Sequence, residues 1–240
     1  MESINHSFWL YIVTFFLIIL GRYFLIAGGT YLLLYLPLGR SLVKPTIENV
    51  SASWQTVKND IKLSLISTGI FAIAAAFIWS SYNSGLTRLY NHLDLNNLWY
   101  LGFSYITVLI LQDTYFYFTH RLFHHPSFFR WWHEGHHRSR QPTPLTSFAF
   151  DPLEAISQSL FLIAIVFIIP LHLVTLIAVL TTMTIWAAVN HIGVEGLPGS
   201  FSPHWFGKWF IGPAHHGLHH LKYTVHFGLY FTFWDKVFRT

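Results

Sequence analysis

Histidine spacing is the feature of this 240-residue sequence that most directly implies chemistry. The second half of the chain contains one HxxxH cluster and two HxxHH clusters, which begin at His120, His133 and His216. Residues three or four apart lie on one face of an α-helix, with Cβ atoms about 5–6 Å apart. Each cluster can therefore direct two or three imidazoles at one point. The eight residues are His120, His124, His133, His136, His137, His216, His219 and His220. Eight imidazoles exceed the needs of one metal ion, so the spacing predicts two ions.

The composition is typical of a membrane protein with one compact polar region. The chain is 53% hydrophobic and only 10% charged, whereas soluble domains are about 25% charged. It has no cysteine, so a metal site here must use imidazole and carboxylate ligands. The net charge of +4 comes from scattered Lys and Arg residues rather than a basic stripe, which excludes nucleic acid as the expected partner. We expect a single domain over 1–240, with its catalytic core at about 98–240.

Four apolar regions predict an all-α fold that is integral to the membrane, with about four transmembrane helices. They cover about 8–36, 63–79, 98–118 and 155–189. A helix needs about 20 apolar residues to cross a hydrocarbon core that is about 30 Å thick. The first region is interrupted by glycines, so one tilted helix and a broken pair both fit it. The last contains Pro170, which predicts a helical hairpin whose two ends return to the same side.

The positions of Lys and Arg predict the orientation. Basic residues recur in 37–62, in 120–150 and in the tail after Lys208, whereas the segment 80–97 contains only Arg88. Short loops rich in Lys and Arg face the cytoplasm. All three histidine clusters then share the cytoplasmic face, where we expect the two metal ions to bind. The membrane would be the endoplasmic reticulum in a eukaryote and the inner membrane in a bacterium.

Four further residues lie near the clusters in sequence. Asp113 stands two helical turns before His120, and we expect it to orient a ligand imidazole, as carboxylates near metal sites commonly do. His191 lies where the predicted hairpin returns to the clusters and is a candidate ninth ligand. Glu195 follows it by four residues, and we expect it to support the site rather than to bind metal. His215 could replace the first histidine of the third cluster, although the HxxHH spacing favours the latter.

Ligand type alone does not choose the metal, because imidazole suits Zn, Cu, Fe and Ni. Two ions in a nitrogen-rich site that opens toward a bilayer indicate oxygen chemistry on a lipid. The activation of O2 against an unactivated C–H bond needs a redox metal, and a paired iron centre can supply several electrons. Zinc has no redox chemistry but can occupy the same ligands in a purified sample.

The residues around the clusters resemble the sterol desaturase and fatty acid hydroxylase superfamily of membrane di-iron enzymes. The segment HRLFHHP at 120–126 is similar to the family's HRxxHxP element, and NHIGVE at 190–195 resembles its element of asparagine or glycine followed by histidine. The HHRS at 136–139 and the FDP at 150–152 resemble the sterol C5-desaturase-like branch. The tail from His215 is similar to the closing motif. The resemblance covers about Asp113 to Thr240, and the earlier residues match only as hydrophobic spans.

This resemblance implies a cytosolic helical cap that holds two metal ions over four spanning helices. It also implies an enzyme that uses O2 to desaturate or hydroxylate a sterol, a fatty acid or a sphingolipid. It implies two Fe ions, held by His120, His124, His133, His136, His137, His191, His216, His219 and His220. In the fatty acid 2-hydroxylase branch a further histidine stands where this chain has Glu195, so that branch fits less well. The sequence contains no fused cytochrome b5 domain, which implies a separate electron donor such as a cytochrome b5-like protein, a ferredoxin or a reductase.

Two alternatives belong to other classes of protein. A metal transporter would place its histidines inside the spans, whereas these clusters follow the ends of the spans. A catalytically inactive family member could act as a lipid-binding or scaffold protein, but the three clusters are intact, which disfavours loss of activity.

Overall fold

The computed structural model describes residues 2–35, 44–45, 53–93, 98–192, 194–195 and 207–240. This part of the chain is mostly helical, which confirms the predicted all-α class. The helices are α1 (Glu2–Tyr23), α2 (Gly29–Tyr35), α3 (Trp54–Asn83), α4 (Leu98–Phe123), α5 (Pro126–Trp132), α6 (Glu134–His137), α7 (Pro152–Ile168), α8 (Leu173–Asn190), α9 (Pro213–Lys222) and α10 (Phe233–Phe238). A π-helical turn covers Phe24–Gly28, and 3-10 helices cover Pro144–Phe148 and Gly207–Trp209. Strands β1 (Lys44–Pro45) and β4 (Val194–Glu195) pair antiparallel, and β2 (Leu89–Tyr90) and β3 (Leu171–His172) pair parallel.

The first apolar region forms one helix rather than a broken pair. The π-helical turn joins α1 to α2 without an interruption, because a π turn accommodates the extra residue inside a continuous helix. Tyr23, just before this turn, and Ala27, within it, are fully buried and fix the helix against its neighbours. Arg22 donates from Nη1 to the carbonyl of Leu180 in α8, at 3.4 Å, so its charge faces a polar group of the protein.

Three helical segments of the described chain are long and apolar enough to cross a membrane. They are Ser7–Tyr35, Trp54–Asn83 and Leu173–Asn190. Helix α4, which contains the third predicted span, has 26 residues and is long enough. It lacks a continuous stretch as apolar as those of the other three, because it carries several tyrosines together with Gln112 and Asp113. The predicted count of about four spans is therefore not confirmed.

The last apolar region is a helical hairpin, as predicted. Helix α7 ends at Ile168, and Pro170 separates it from α8 because proline cannot continue a helix. The short pairing of β2 with β3 and a hydrogen bond from the Tyr100 hydroxyl to the Pro170 carbonyl, at 3.0 Å, hold the bend. The opposite ends of the hairpin, at Glu154 and His191, both contact histidines of the clusters. The two ends thus lie on the same side.

Two apolar cores hold the helices together. One joins α4, α7 and α8 around Val108, Val166 and Val179. The other joins α1 and α3 to the 3-10 helix Pro144–Phe148 through Tyr23 and Phe148. Large apolar side chains also cover the outer faces of the spanning helices, which is the surface that a lipid bilayer requires.

Candidate metal centre

The structure brings all nine predicted histidine ligands together in two groups. In each group every member offers one ring nitrogen, and these nitrogens lie within 4.8 Å of one another. The five-histidine group contains His120, His124, His133, His137 and His219. The four-histidine group contains His136, His191, His216 and His220. Their role as metal ligands remains a prediction, and the two groups would correspond to two separate metal positions.

The two HxxHH clusters are each divided between the groups. In the second cluster, the first and last histidines join the five-histidine group, and His136 joins the other. The third cluster is divided in the opposite way, since His216 and His220 join the four-histidine group and His219 crosses to the other. Residues four apart share a helix face, whereas the residue between them points about one quarter-turn away. The two clusters therefore interlock, and each group depends on both.

The second cluster is placed by a break between two helices. His133 lies between α5 and α6 with φ −152° and ψ −5°, so it belongs to neither helix. The Asp151 carboxylate accepts hydrogen bonds from the backbone amides of Gly135, at 2.7 Å, and His136, at 3.4 Å. A Cβ atom at position 135 would collide with this carboxylate. Glycine at 135 is therefore needed for the close approach of α6 to the start of α7.

Hydrogen bonds to backbone carbonyls orient many of the imidazoles through Nδ1. His120 donates to Phe227 at 3.0 Å, His136 to Ala149 at 3.2 Å, His191 to Ala187 at 2.7 Å and His219 to Val225 at 2.7 Å. His133 instead meets a carboxylate, since its Nδ1 lies 2.7 Å from Oε2 of Glu154. A carbonyl only accepts, so these contacts place the proton on Nδ1 and leave Nε2 free.

Burial keeps the imidazoles of the four-histidine group neutral. It lowers the pKa of His136 to about 4 and that of His191 to about 3, and it lowers the pKa values of His216 and His220 well below the usual range. The Nε2 atoms of His136 and His191 lie 3.3 Å apart. Both rings carry their proton on Nδ1, so two lone pairs face each other. A bound cation would turn this unfavourable arrangement into a favourable one.

The distances between ring nitrogens fit metal coordination. Neighbouring Nε2 atoms lie 2.9 Å apart for His120 and His133, 3.0 Å for His191 and His216, and 3.1 Å for His216 and His220. Imidazole nitrogens bind metal ions at about 2.0–2.1 Å, so two ligands at right angles are about 3 Å apart. The buried, nitrogen-only donor set suits iron, zinc or copper.

Asp113 does not orient a ligand imidazole, which corrects the sequence prediction. Its Oδ1 accepts the backbone amides of Leu229, Tyr230 and Phe231, at 3.1, 2.7 and 3.1 Å. Seven residues along a helix correspond to about 10.5 Å, so the shared face leaves Asp113 too far from His120. The carboxylate instead fixes the loop that follows α9.

Asp235 fixes the same loop from its other side. Its carboxylate accepts the amides of Phe227, at 2.8 Å, and Gly228, at 3.1 Å. The carbonyl of Phe227 is the group that orients His120. The two aspartates therefore support the centre through the backbone.

The two remaining predicted supporting residues have different outcomes. His215 lies at the start of α9, where its Nδ1 accepts the Gly212 amide at 3.3 Å and its ring packs on His226. It belongs to neither histidine group. Glu195 lies in β4, opposite Lys44, and its side chain is outside the described part of the structure.

Glu154 is the site residue that sequence reasoning missed. It is 1% exposed and contacts His133 directly. The available signal was its position as an isolated carboxylate at the start of an otherwise apolar helix, because a buried charge there needs a partner.

Comparison with known proteins agrees with this geometry. The model of the fatty acid hydroxylase family matches residues 105–240, more than half of the chain. The chain therefore belongs to this family. The match contains every histidine of the two groups.

The curated relatives fall in the sterol desaturase branch. A Delta(7)-sterol 5(6)-desaturase of Gibberella zeae is 29% identical, over 75% of this chain and 54% of its own length. Lathosterol oxidase of Rattus norvegicus is 31% identical, over 75% of this chain and 60% of its own length. A Delta(7)-sterol 5(6)-desaturase of Aspergillus fumigatus is 32% identical, over 76% of this chain and 62% of its own length. The matches span between about half and two thirds of these relatives. No solved structure matches the chain.

Proposed function

We propose that this protein is a membrane-bound, O2-dependent oxidoreductase that introduces a double bond into a sterol. The observation that carries the proposal is the pair of buried histidine groups, with nine imidazoles at one end of an apolar helical bundle. The names of the relatives, Delta(7)-sterol 5(6)-desaturase and lathosterol oxidase, support a sterol as the substrate and desaturation over hydroxylation.

The proposed reaction removes two hydrogens from neighbouring carbons and leaves a carbon–carbon double bond. One O2 is reduced to two water molecules, which takes the two hydrogens with their electrons together with two further electrons and two protons. A separate electron donor of the cytochrome b5, ferredoxin or reductase type supplies the two electrons. Two iron ions, when bound, supply the redox chemistry that histidine lacks.

The chain's own residues hold the metal and admit the lipid. Buried imidazoles stay neutral, so they offer lone pairs to a cation at neutral pH. The hairpin of α7 and α8 begins and ends at the histidines, so a lipid beside these helices can reach the centre without leaving the membrane. We place the centre on the cytoplasmic side because of the basic residues around it.

Lipid profiling tests the proposal. Membranes of a host that expresses the chain should contain a sterol two mass units lighter than its precursor, and a host that expresses His136→Ala should lack it. A product sixteen units heavier would indicate hydroxylation instead. The same new lipid in both hosts would show that the four-histidine group is not the catalytic centre.

The alternative of an inactive lipid-binding protein is not favoured. Nine histidines converge in two groups, and the rings carry supporting hydrogen bonds that binding of a lipid alone does not require. Metal analysis separates the two functions, since the proposed enzyme should bind two equivalents of iron per chain and an inactive scaffold need bind none.

A further inference from the structure

The N-terminal end of α7 presents two carboxylates to the second histidine cluster, Asp151 just before the helix and Glu154 in its first turn. Asp151 accepts the amides at the start of α6 and so fixes its backbone. Glu154, one turn later, reaches the ring of His133, with Oε2 at 2.7 Å from Nδ1. Glu154 and His133 are each 1% exposed, so water does not compete for this contact.

We propose that Glu154 is a positioning residue for one of the two metal positions, where it holds the His133 ring with Nε2 directed into the five-histidine group. The inference rests on the proposed function, in that both groups hold metal. It adds that a single side chain outside the nine histidines supports one of the two positions and not the other.

The local backbone explains why His133 needs this support. His133 lies between two helices, so the regular backbone of a helix does not set the direction of its ring. His136, three residues later, is inside α6 and is oriented by the carbonyl of Ala149. Among the Nδ1 hydrogen bonds that the described residues make to the nine histidines, only that of His133 goes to a side chain. It can therefore be removed by substitution without a change of backbone.

Substitutions at Glu154 should weaken one metal equivalent and spare the other. Loss of a residue that orients a ligand costs about 10–100-fold in metal affinity. We expect Glu154→Leu, which fills similar space without an acceptor, to weaken the binding of one equivalent by about that factor. Glu154→Gln keeps an oxygen that accepts from Nδ1 and should restore most of the affinity. Glu154→Asp withdraws the carboxylate by one methylene and should behave like the leucine variant.

The measurement is a titration of metal-free protein in detergent with Co²⁺, followed by visible absorption and by elemental analysis after desalting. The matched control is Gln158→Leu, which replaces another buried polar side chain one turn later on α7. We expect it to bind both equivalents as the wild type does. If Glu154→Leu weakens neither equivalent, weakens both alike or matches the control, Glu154 has no positioning role. If the leucine variant does not fold, the comparison of the aspartate and glutamine variants decides in the same way.

The same substitution in a variant that lacks one histidine ligand identifies which metal position Glu154 supports. His216→Ala removes a ligand of the four-histidine group, so the remaining ion is held by the other five. Adding Glu154→Leu should weaken this remaining ion by about 10–100-fold. Equal binding in the single and double variants would overturn the inference. Failure of the proposed function gives a different result, because wild-type protein would then bind fewer than two ions or form no new sterol.

Discussion

The two histidine groups differ in burial and in the number of donors. All four members of the smaller group are buried, whereas the larger group includes the half-buried His124. Backbone carbonyls orient imidazoles in both groups, and the larger group also has the carboxylate support of Glu154. Structural metal sites are closed by protein ligands, and catalytic sites keep an open position. The four-histidine group, with fewer donors, has more room for a ligand that is not protein.

The strongest test of this division uses two neighbouring residues. His219 and His220 are adjacent but belong to different groups. We expect His219→Ala and His220→Ala each to lower activity by at least about 100-fold, because removal of a metal ligand costs more than removal of its support. Elemental analysis and Co²⁺ spectra should show a different ion weakened in each variant. Identical spectra from the two variants would contradict the division into groups.

A substitution outside the histidines should disturb both groups together. Gly135→Ala places a Cβ against the Asp151 carboxylate and displaces α6, which serves both groups. Overpacking of this kind costs about 1–3 kcal/mol. Thermal unfolding of detergent-solubilised protein measures the loss of stability. Gly102→Ala is the matched control, since nothing lies within 4 Å of its added Cβ, and it should be neutral or slightly stabilising.

Metal-free protein should lose stability as the pH falls below about 6.5. Burial lowers the pKa of His136 to about 4 and that of His191 to about 3 in the folded protein, whereas an unfolded histidine has a pKa of about 6.5. Between these values the unfolded chain binds more protons, so acid stabilises the unfolded state. Unfolding temperatures with a chelator present should therefore fall from pH 7 to pH 5. His136→Gln should flatten this dependence, and an unchanged slope would show that His136 is hydrated.

The smallest effect on metal affinity should come from the loss of one hydrogen bond beside His191 of the four-histidine group. The Tyr35 hydroxyl donates to the carbonyl of Ile192, next to His191, at 2.7 Å. Tyr35→Phe removes one hydrogen bond, which is worth about 0.5–1.5 kcal/mol, and should weaken one metal equivalent by up to about tenfold. Tyr11→Phe, which removes a weaker contact with Asn83 at 3.3 Å, should bind both ions normally. Weakening of the ion that Glu154→Leu affects would contradict the assignment.

Residue spacing predicted those parts of the centre that lie within one helix. Contacts between residues far apart in sequence could not be predicted in this way. Helical periodicity identified His120, His124 and the two HxxHH clusters as candidate ligands, because residues three or four apart share a helix face. The division of each HxxHH between two groups depends on how α6 and α9 meet, and this packing has no local signature. The break at His133 was also hidden, since the second cluster has helical spacing without being wholly helical.

Carboxylates were the least predictable part of the site. Asp113 lies on the same face of α4 as His120 but too far along the helix to contact its ring. Its hydrogen-bond partners lie 116 to 118 residues later in the chain. Glu154 lies 21 residues from His133 and was hidden among apolar neighbours. Hydropathy predicted the helices, but the number of spans stays a prediction, because α4 carries the polar Gln112 and Asp113, which bind the loop after α9.

The interlocking of the clusters has a consequence for how the protein is made. When the ribosome has completed α8 and His191, the nascent chain holds four donors of the larger group and two of the smaller. The missing histidines, His216, His219 and His220, are all in α9. Neither group is complete until α9 has left the ribosome, by which time the apolar helices can already be in the membrane. Metal loading is therefore expected to follow membrane insertion.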